Sequence, residues 1–433
     1  MAARVLVDHF DAVTVLERDV LPEGAEHRAG VPQARHAHAL MKRGQQVLDG
    51  MFPGLTAEVL AAGGCTAKVG SEFRVYSRAG WLADTDYEML QCGRTLLESV
   101  IRRRVRGLAR VTIVEGTRVI DLLSATPGAV TGVRHAPRDG AEQELAADLV
   151  VDASGRTSKA SEWLVKLGYA APPVEEVDAR VGYASRLYRP APGWSAPWRG
   201  ILVQPAPPDE PCGGGVLQVE GGLLLVSVYG GSGRYAPTDE EGFAEFVRGL
   251  RTPELHECLR GAAPVSAIHG FRDLVDRMRR FERMPRRPDN LLITGDAVCT
   301  FNPVYGQGIS VAAIGAELLR ECLDAQPRAR AGLRGLATRY QRALAVRLQS
   351  PWSMATSEDM RFAGVAGAGG ARTRWLHWYI DRLLKLAVCR PEVSRVFMAV
   401  VHMLAPPASL LRPDIVAAVL FDRAARAPVT VPR

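Results

Sequence analysis

The apolar positions of this sequence fall into short runs, and three of these runs end at an acidic residue beside a turn. Residues 12–16 (AVTVL) precede Glu17, residues 149–151 (LVV) precede Asp152, and residues 291–293 (LLI) precede the pair Gly-Asp at 295–296. Continuous apolar runs of this length are typical of strands that are buried on both faces of a sheet. Residues 311–323 (VAAIGAELLRECL) instead have helical spacing. Together these patterns predict an α/β fold.

The third run leads into a loop that contains most of the candidate chemistry. Gly295 and Asp296 break the strand, and Pro303, Gly306 and Gly308 shape a tight loop before the helix. A carboxylate delivered to a helix N-terminus suits a ligand with phosphates, hydroxyls or anionic ring oxygens, because the free N–H groups and the helix dipole favour negative charge there. The two later glycines would also let a flat ring approach the backbone. An ordinary strand–loop–helix connection is the alternative that these residues alone leave open.

The remaining pattern predicts a second region rich in strands. Residues 175–285 alternate strand patterns with Gly and Pro turns, which is typical of a mixed sheet. Residues 111–123 and 130–135 predict a strand pair. Residues 21–38 form a polar loop, and so long a loop inside a compact domain favours a functional role. Further helices are predicted for residues 40–51, 328–348 and 372–421.

Two helix starts are predicted from capping-box spacing. Thr95 stands three residues before Glu98, and Thr238 stands three residues before Glu241. In such a box the hydroxyl and the carboxylate satisfy free N–H groups of the first helical turn. The sequence therefore predicts helices that start at about residues 96 and 238.

Charge and composition exclude several classes of protein. The 433 residues are 47% apolar and long enough for two or three domains. The formal charge of +7 comes mostly from arginines that are scattered or lie on helix faces, as in residues 102–106, without the motifs of nucleic-acid-binding domains. We therefore expect no nucleic-acid partner, and the positive charge suits an anionic cofactor.

The cysteines and the longest apolar runs bear on the compartment. The seven cysteines are isolated and odd in number, which predicts a reduced cytoplasmic protein without structural zinc. His36 and His38, two residues apart, could share a face and bind a metal, but no third ligand lies nearby in the sequence. No apolar run approaches the roughly 18 residues of a spanning helix, so we expect neither a membrane span nor a signal peptide.

Residues 295–308 resemble a known cofactor motif. The string GDAxxxxxPxxGQG is similar to the second FAD-binding fingerprint of the para-hydroxybenzoate hydroxylase superfamily of flavin monooxygenases, with Asp296, Pro303, Gly306, Gln307 and Gly308 in matching order and spacing. The resemblance implies that the aspartate lies at the ribityl–pyrophosphate region of FAD. It also implies that residues 306–308 lie against the flavin ring.

The same resemblance extends to other positions. It places a flavin-contacting arginine at Arg94 and an adenine-pairing strand backbone at Val119. Arg35, in the polar loop, could reach the pyrophosphate or hold the flavin ring. The turn DASG, which begins at Asp152, resembles the middle motif of the superfamily, whose usual form is DG, so this aspartate could equally be a charge at a helix N-terminus.

Glu17 is the candidate for the adenosine ribose. In a dinucleotide-binding βαβ unit the ribose-binding acid lies about 20 residues beyond the glycine motif GxGxxG. Counting back from Glu17 places that motif before residue 1, so the sequence is expected to begin inside the first helix, without the first strand and its glycine loop. A charge at a strand end is the alternative for this glutamate.

The order of these motifs covers most of the chain and implies a fold. The segments GVPQARHAHAL, FNPVYGQGIS and PWSMATSED are similar to actinobacterial flavin epoxidases of the polyether type. The resemblance implies an α/β fold in which a three-layer ββα, Rossmann-like FAD-binding domain is interleaved with a mixed β-sheet substrate domain and followed by a C-terminal helical region. The expected ranges are 1–50, 90–170 and 286–350 for the FAD domain, 51–89 and 171–285 for the substrate domain, and 351–433 for the helical region.

The resemblance also implies a reaction. Superfamily members insert one oxygen atom from O2 through a C4a-hydroperoxyflavin, with NADPH or NADH as the source of electrons. An apolar alkene or aromatic metabolite is the expected substrate, and epoxidation or hydroxylation the expected outcome. Because the cofactor supplies the reactive oxygen, no catalytic side chain is expected.

Three alternatives remain on the same scaffold. A flavin halogenase would have a WxWxIP motif and a catalytic lysine. Residues 375–380 (WLHWYI) have different spacing, and the single candidate for the lysine, Lys68, is weak. A flavin dehydrogenase or reductase is the second alternative. A truncated relic that binds no FAD is the third, because the glycine loop is missing.

Overall fold

The computed structural model describes residues 1–124, 129–326, 332–367 and 369–426 and shows a mixed α/β fold. The helices of these ranges are α1 (Ala2–Leu6), α2 (Lys42–Met51), α3 (Leu55–Ala61), α4 (Arg94–Arg106), α5 (Ala160–Lys166), α6 (Glu240–Arg248), α7 (Glu254–Cys258), α8 (Gly308–Asp324), α9 (Leu336–Asp359), α10 (Ala371–Cys389), α11 (Pro391–Val401) and α12 (Pro413–Phe421). The strands are β1 (Val13–Leu16), β2 (Cys65–Lys68), β3 (Phe73–Ser77), β4 (Gly80–Trp81), β5 (Glu88–Gln91), β6 (Val111–Val114), β7 (Thr117–Leu123), β8 (Gly132–Pro137), β9 (Gln143–Ala146), β10 (Val150–Asp152), β11 (Val174–Arg189), β12 (Gly200–Val203), β13 (Cys212–Val219), β14 (Leu223–Gly230), β15 (Ala263–Pro264), β16 (His269–Arg279), β17 (Leu291–Ile293) and β18 (Cys299–Thr300).

Two parallel strand pairs confirm the strands predicted from the apolar runs. Strand β1 pairs with β6, and β10 pairs with β17, all three residues of which are buried. In the second pair Asp152 lies opposite Ile293, and the Thr294 N–H donates to the Asp152 carbonyl at 2.9 Å. Because parallel strands end at the same edge, the acidic turns that follow β10 and β17 lie together.

The strand pair predicted for residues 111–123 and 130–135 was partly wrong. A turn at Gly116, in left-handed conformation with φ of +65°, divides the first segment into β6 and β7. Only β7 pairs with β8 as expected, in a three-stranded antiparallel sheet completed by β9. Residues 115–118 (EGTR) interrupt the apolar pattern at this turn, and the prediction of one continuous segment ignored that interruption.

A large mixed sheet confirms the prediction for residues 175–285. Its strands lie in the order β18, β16, β11, β14, β13, β12, β3, β4, with β15 paired to β11. The β12–β3 pair is parallel and the other pairs are antiparallel. Phe243 and Val247 of α6 pack on one face of this sheet, in one cluster with Ile201 of β12 and Val226 of β14.

Helix α6 has a different cap from the predicted one. The helix begins at Glu240, and the Asp239 carboxylate accepts a hydrogen bond from the Gly242 N–H at 2.8 Å. The prediction of a Thr238–Glu241 box was therefore wrong, because the neighbouring aspartate is the stronger capping residue.

Helices α8 and α9 hold the end of β17. The Tyr340 hydroxyl of α9 donates to Thr294 Oγ1 at 2.8 Å, and the Gln341 side chain donates to the Ile293 carbonyl at 2.8 Å. Both side chains are buried, and Tyr340 belongs to the same hydrophobic core as the three residues of β17. The predicted helix 328–348 begins outside the described residues, and α9 continues past its predicted end, through Pro351 to Asp359.

The last helices form a separate hydrophobic cluster against β3. Helices α10, α11 and α12 contribute Leu383, Leu386, Met398 and Ile415 to it. The predicted helical segment 372–421 is thus three helices with a 3-10 turn, Pro407–Leu411, between the last two. Across the described residues, no helix combines the length and the apolar character that crossing a bilayer requires.

Candidate functional site

The loop between β17 and α8 is held by two short 3-10 turns and a side-chain cap. The turns are Gly295–Ala297 and Pro303–Tyr305. The Asn302 side-chain oxygen accepts a hydrogen bond from the Val304 N–H at 3.3 Å. These contacts give residues 295–308 a defined path and confirm the predicted order of strand, loop and helix.

Gly306 and Gly308 have different reasons to be glycine. Gly306 has φ of +64°, and a Cβ there would stand 2.7 Å from the Cβ of Ala39. Its position is explained by a left-handed turn and by the packing of the polar loop. Gly308, by contrast, has no heavy atom within 4 Å of the place where a Cβ would stand. Of the two, only Gly308 leaves room beside its backbone.

Asp296 lies in the electric field of Arg94 and Arg156. Burial raises the pKa of the Asp296 carboxyl, and both guanidinium groups oppose that shift. Burial also lowers the pKa of Arg94, and the negative charges of Glu98 and Asp296 oppose that decrease. The structure thus brings the first acidic residue of the fingerprint and the predicted arginine of α4 within electrostatic reach of each other.

A chain of ion pairs joins Arg94 to Glu17. Arg28 Nη1 lies 3.2 Å from the Glu17 carboxylate, and Arg28 Nε lies 2.8 Å from Glu98. Glu98 in turn lies 3.7 Å from Arg94 Nε. The glutamate predicted for the ribose and the arginine predicted for the flavin are therefore linked through two side chains that sequence reasoning did not select as site residues.

The ion pairs of Glu98 also overturn the first predicted capping box. Helix α4 begins at Arg94, and its N-cap residue, Gly93, provides no side-chain cap. The Gly93 N–H donates to Glu220 at 2.8 Å. The prediction of a Thr95–Glu98 box was wrong because the glutamate is drawn to the arginines instead.

Val119 lies near Glu17 through the backbone. The Thr117 N–H donates to the Glu17 carbonyl at 2.9 Å, and Val119 follows two residues later in β7, opposite His135. The ladder between β7 and β8 shifts register after Val119. Glu17 and Val119, the two residues predicted for the adenosine half of the cofactor, thus lie on chain segments that this backbone hydrogen bond joins.

Arg35 contacts a strand of the large sheet. It ends the 3-10 turn Pro32–Arg35, and its Nη1 lies 3.1 Å from His269 Nε2 in β16. His36 Nδ1 lies 2.7 Å from Ser185 Oγ, and His38 Nδ1 lies 2.8 Å from the His36 carbonyl. The polar loop therefore connects the sheet to residues 295–308, which we call the fingerprint loop.

His36 and His38 of this loop are neutral at neutral pH. Burial, reinforced by His269 and Arg35, lowers the pKa of His36 to about 4. Burial and Arg94 lower the pKa of His38 to about 3. No group of three or more His, Cys, Asp or Glu side chains within the described ranges could hold a metal ion.

Asp152 fixes the turn after β10. Its carboxylate accepts hydrogen bonds from the Ser154 N–H at 2.8 Å and from the Ser158 hydroxyl at 2.5 Å. The side chain is 7% exposed. Its contacts belong to the local turn.

A buried polar cluster lies behind the fingerprint loop and was missed by sequence reasoning. Asp276 of β16 and Asp359 of α9 are both buried. The Asn302 N–H donates to Asp276 Oδ1 at 2.5 Å, and the Tyr305 hydroxyl donates to Asp359. The Tyr183 hydroxyl donates to Asn302 Oδ1 at 3.0 Å. These contacts tie the loop to the sheet and to α9.

The two carboxyl groups of this cluster contact each other. Burial and the charge of Asp359 raise the pKa of Asp276 well above its ordinary value, and burial raises the pKa of Asp359 to about 6. Asp276 Oδ2 has no other hydrogen-bond partner among the described residues, and a proton held between the two carboxyls satisfies it. The other ionisable groups within electrostatic reach of the pair are Tyr183, Cys299, Tyr305 and Glu358.

The residues of the fingerprint loop fit FAD. The first N–H groups of α8 have no partner within the helix, and Gly308 leaves space beside them. Gln307 is 4% exposed, yet its Oε1 has no hydrogen-bond partner among the described residues. A cavity of about 10 Å³ between the starts of α4 and α8, lined in part by Arg94 and Ile309, is large enough for one water molecule. Unpaired polar atoms and an open backbone suit a ligand with both donors and acceptors.

Arg28 and the carboxyl pair could have been found only in part from the sequence. Arg28 lies in the polar loop whose length already favoured a function. Asp276 and Asp359 lie 83 positions apart, in a strand and in a helix, and no local pattern joins them. Their proximity depends on how α9 packs against the sheet.

Comparisons with known proteins agree with this fold. No family model matches the sequence. Protein Rv3254 of Mycobacterium tuberculosis is 34% identical over 374 residues, which cover 83% of this chain and 78% of that protein. The p-nitrophenol 4-monooxygenase PnpA of Pseudomonas putida is similar in structure, with a TM-score of 0.61, 20% identity and coverage of 94% of this chain and 95% of that chain. The flavin-dependent brominase Bmp2 has a TM-score of 0.64, 14% identity and coverage of 93% and 89%. The chain thus has the fold of flavin-dependent monooxygenases and halogenases.

Proposed function

The chain belongs to the same family as Protein Rv3254 of Mycobacterium tuberculosis, and we propose that it is an FAD-dependent monooxygenase. The reaction is the insertion of one oxygen atom from O2 into an apolar specialised metabolite, as an epoxidation or a hydroxylation. For an alkene the balanced reaction consumes O2, NADPH or NADH and a proton, and it yields the epoxide, water and the oxidised nicotinamide. The polyether-type epoxidases are the proposed relatives.

The observation that supports this proposal most is the loop at residues 295–308. It combines Asp296, in the field of two arginines, with a helix N-terminus that is open at Gly308. Asp296 and Arg94 are proposed to hold the ribityl–pyrophosphate region, and Gln307 with Gly308 to lie against the ring. Glu17 and the Val119 backbone are proposed to hold the adenosine half. Pro303 and Gly306 shape the loop, and Arg35 is assigned to the outer edge of the ring.

In this proposal FAD supplies the activated oxygen, and the side chains bind, orient and exclude water. The sheet face with Tyr183 and Phe271 is proposed to receive the apolar substrate. His36, which is buried between the rings of these residues at centroid distances of 5.9 and 5.7 Å, stays neutral and adds no charge to that face. A face from which water is excluded protects a reactive oxygen species from water.

We also propose a separate role for each domain of the chain. Residues 1–50, 90–170 and 286–350 are proposed to bind FAD, residues 51–89 and 171–285 to bind the substrate, and residues 351–433 to cover the helical side. The seven unpaired cysteines support a reducing compartment, the cytoplasm.

Titration of the purified chain with FAD tests the cofactor. Binding is followed by quenching of flavin fluorescence for the wild type, Asp296→Asn and Asp139→Asn, the last of which alters an exposed acid remote from the loop. We expect Asp296→Asn to weaken binding by about tenfold, because charge-assisted hydrogen bonds contribute roughly 1.5–3 kcal/mol. Asp139→Asn should bind like the wild type. No flavin uptake by the wild type would overturn the proposal.

Product analysis separates the monooxygenase from the alternatives. With FAD, NADPH or NADH and isotopically labelled O2, an alkene or arene should gain one labelled oxygen atom. A flavin halogenase would instead give a product that contains halide, and its support is the similarity in fold to Bmp2. Against it, Lys68 is exposed on β2, and Trp375 and Trp378 are exposed on α10. A dehydrogenase or reductase would oxidise the nicotinamide without labelled product.

A further inference from the structure

The exposed Trp and Phe side chains of the described residues all lie in the C-terminal helices. Trp375 is 52% exposed, Trp378 is 41% exposed, and Phe421 is 75% exposed. Leu411, in the 3-10 turn before α12, is 52% exposed. We call these four residues the C-terminal patch. Large aromatic side chains in water are costly, so a cluster of them points to a surface that is covered in use.

One side of the patch is held together by Arg382. Its guanidinium lies 4.7 Å from the centroid of the Trp378 ring, and its Nη1 donates to the Val419 carbonyl at 3.2 Å. Val419 lies two residues before Phe421 in α12. A single arginine of α10 thus connects an exposed Trp to the exposed end of the next helix.

The other side of the patch is anchored by Tyr379. Trp375 stacks on this buried ring at a centroid distance of 5.5 Å. The Tyr379 hydroxyl donates to the Leu410 carbonyl at 2.6 Å, directly before the exposed Leu411. Leu383 and Leu386 fix the remainder of α10 to the core. The patch is therefore a supported surface with both indoles outward.

The charge around the patch is strongly positive. Residues 371–426 contain nine Lys and Arg and four Asp and Glu, a formal charge of +5, while the whole chain has +7. Arg372 and Arg374 are exposed in the first turn of α10, beside Trp375. Tryptophan flanked by arginine is the side-chain combination that suits the boundary between headgroups and acyl chains. Two copies of such a surface would repel each other.

From these observations we propose that the C-terminal patch is a peripheral docking surface for an anionic lipid bilayer. The indoles and Phe421 lie at the acyl boundary, and the surrounding arginines contact lipid phosphates. No described helix is long and apolar enough to span, so the attachment is at the surface and reversible. The inference does not depend on FAD, and it would bring an apolar substrate dissolved in the bilayer close to the enzyme.

Vesicle co-sedimentation tests the proposal. The full chain is mixed with vesicles of phosphatidylglycerol and phosphatidylcholine in equal parts, and separately with phosphatidylcholine alone. We expect binding to the anionic vesicles that is lost at high salt, because ions screen charges beyond a Debye length of about 10 Å at 0.1 M. Trp375→Ser with Trp378→Ser should lower the partition coefficient on the order of tenfold or more. Arg372→Ala with Arg374→Ala should lower it by about fivefold per arginine.

Val346→Ser provides the matched control. Val346 is 71% exposed on α9, outside the patch, and its variant should bind vesicles like the wild type. Melting temperatures of all variants show that each is folded, and flavin binding should be equal among them. Equal binding to neutral and anionic vesicles, no binding at all, or a Trp variant that binds normally would each overturn the proposal. A dimer in sedimentation equilibrium that the Trp variants dissociate would overturn it in favour of a second copy as the occupant.

Discussion

Two acidic regions act electrostatically on Cys299, and they have different charged neighbours. Asp296 and Asp276 both act electrostatically on the Cys299 thiol, and together with burial they raise its pKa. Asp296 faces Arg94 and Arg156, whereas Asp276 faces Asp359. The same residue type thus meets cations on the side of the fingerprint loop and a second carboxyl behind it.

Of the two regions, only the one around Asp296 is available to a ligand. Burial raises the pKa of Asp296 and the two guanidinium groups oppose that rise. Its carboxylate can therefore accept hydrogen bonds from ligand hydroxyls, while the arginines can pair with ligand phosphates. A carboxyl pair that shares a proton holds a single negative charge between its two groups, and its oxygens already accept hydrogen bonds from Asn302 and Tyr305. We therefore assign ligand binding to Asp296 and loop support to Asp276 with Asp359.

The largest effect is expected from removing one member of the buried pair. Asp359→Ala leaves the Tyr305 hydroxyl and one oxygen of Asp276 buried without partners. We expect a loss of about 3 kcal/mol in the free energy of unfolding, because each unsatisfied buried group costs roughly 1–3 kcal/mol. Urea denaturation measures the loss. Asp414→Ala, at an exposed acid of α12, should change stability little, and an equally small loss for Asp359→Ala would refute the supporting role.

A second test compares the two glycines of the fingerprint loop. Gly306→Ala places a methyl group at positive φ and 2.7 Å from Ala39, so it should cost about 2 kcal/mol of unfolding free energy. Gly308→Ala meets open space at the start of α8 and should leave stability unchanged or slightly raised. Flavin titration should show the reverse selectivity, with weaker binding for Gly308→Ala at full stability. Equal destabilisation by both substitutions would contradict the distinction between them.

The shared proton makes stability depend on pH. The pKa of Asp359 is about 6 in the folded protein against 3.8 as its ordinary value, so the folded protein binds more protons than the unfolded chain between these values. The stability contribution of the protonated pair is full below pH 4 and is lost as pH rises through 6. We expect unfolding free energy to fall by about 1.5 kcal/mol between pH 5 and 8 from this group.

Asp276→Asn isolates that pH dependence. An amide at position 276 can still accept from the Asn302 N–H and can donate to Asp359 in place of the proton. The fall in stability between pH 5 and 8 should therefore be smaller in this variant than in the wild type. An unchanged slope would mean that the proton is not held by these two carboxyls.

The contrast between the two regions also marks the limit of sequence reasoning. Strand β17, the loop and α8 are contiguous, and their apolar run, glycines and acid make the strand–loop–helix order predictable from local pattern. Residues 111–123 show the opposite case, because the turn at Gly116 sends β6 to β1 and β7 to β8. The pairing of Asp276 with Asp359 joins distant segments, so it follows from packing and not from any local pattern. The capping boxes failed because stronger partners, Asp239 and the arginines around Glu98, lie nearby in sequence or in space.

The smallest expected effect concerns the ion pairs in front of the loop. Glu98→Gln removes the charge that Arg28, Arg94 and Arg102 share. Glu98 is 20% exposed and its arginine partners are 8–25% exposed. Because the glutamine amide can still accept hydrogen bonds from these arginines, the loss of unfolding free energy should be only about 1 kcal/mol, and it should shrink in high salt. Thr95→Ala should have almost no effect, whereas a true capping box would make both substitutions costly, by about 1 kcal/mol each. Comparing the two variants by urea denaturation at low and high salt therefore tests whether Glu98 acts through charge or through capping. If it acts through charge, the release of Arg28 and Arg94 should also increase the affinity of this region for phosphate groups, which a flavin titration of Glu98→Gln would show.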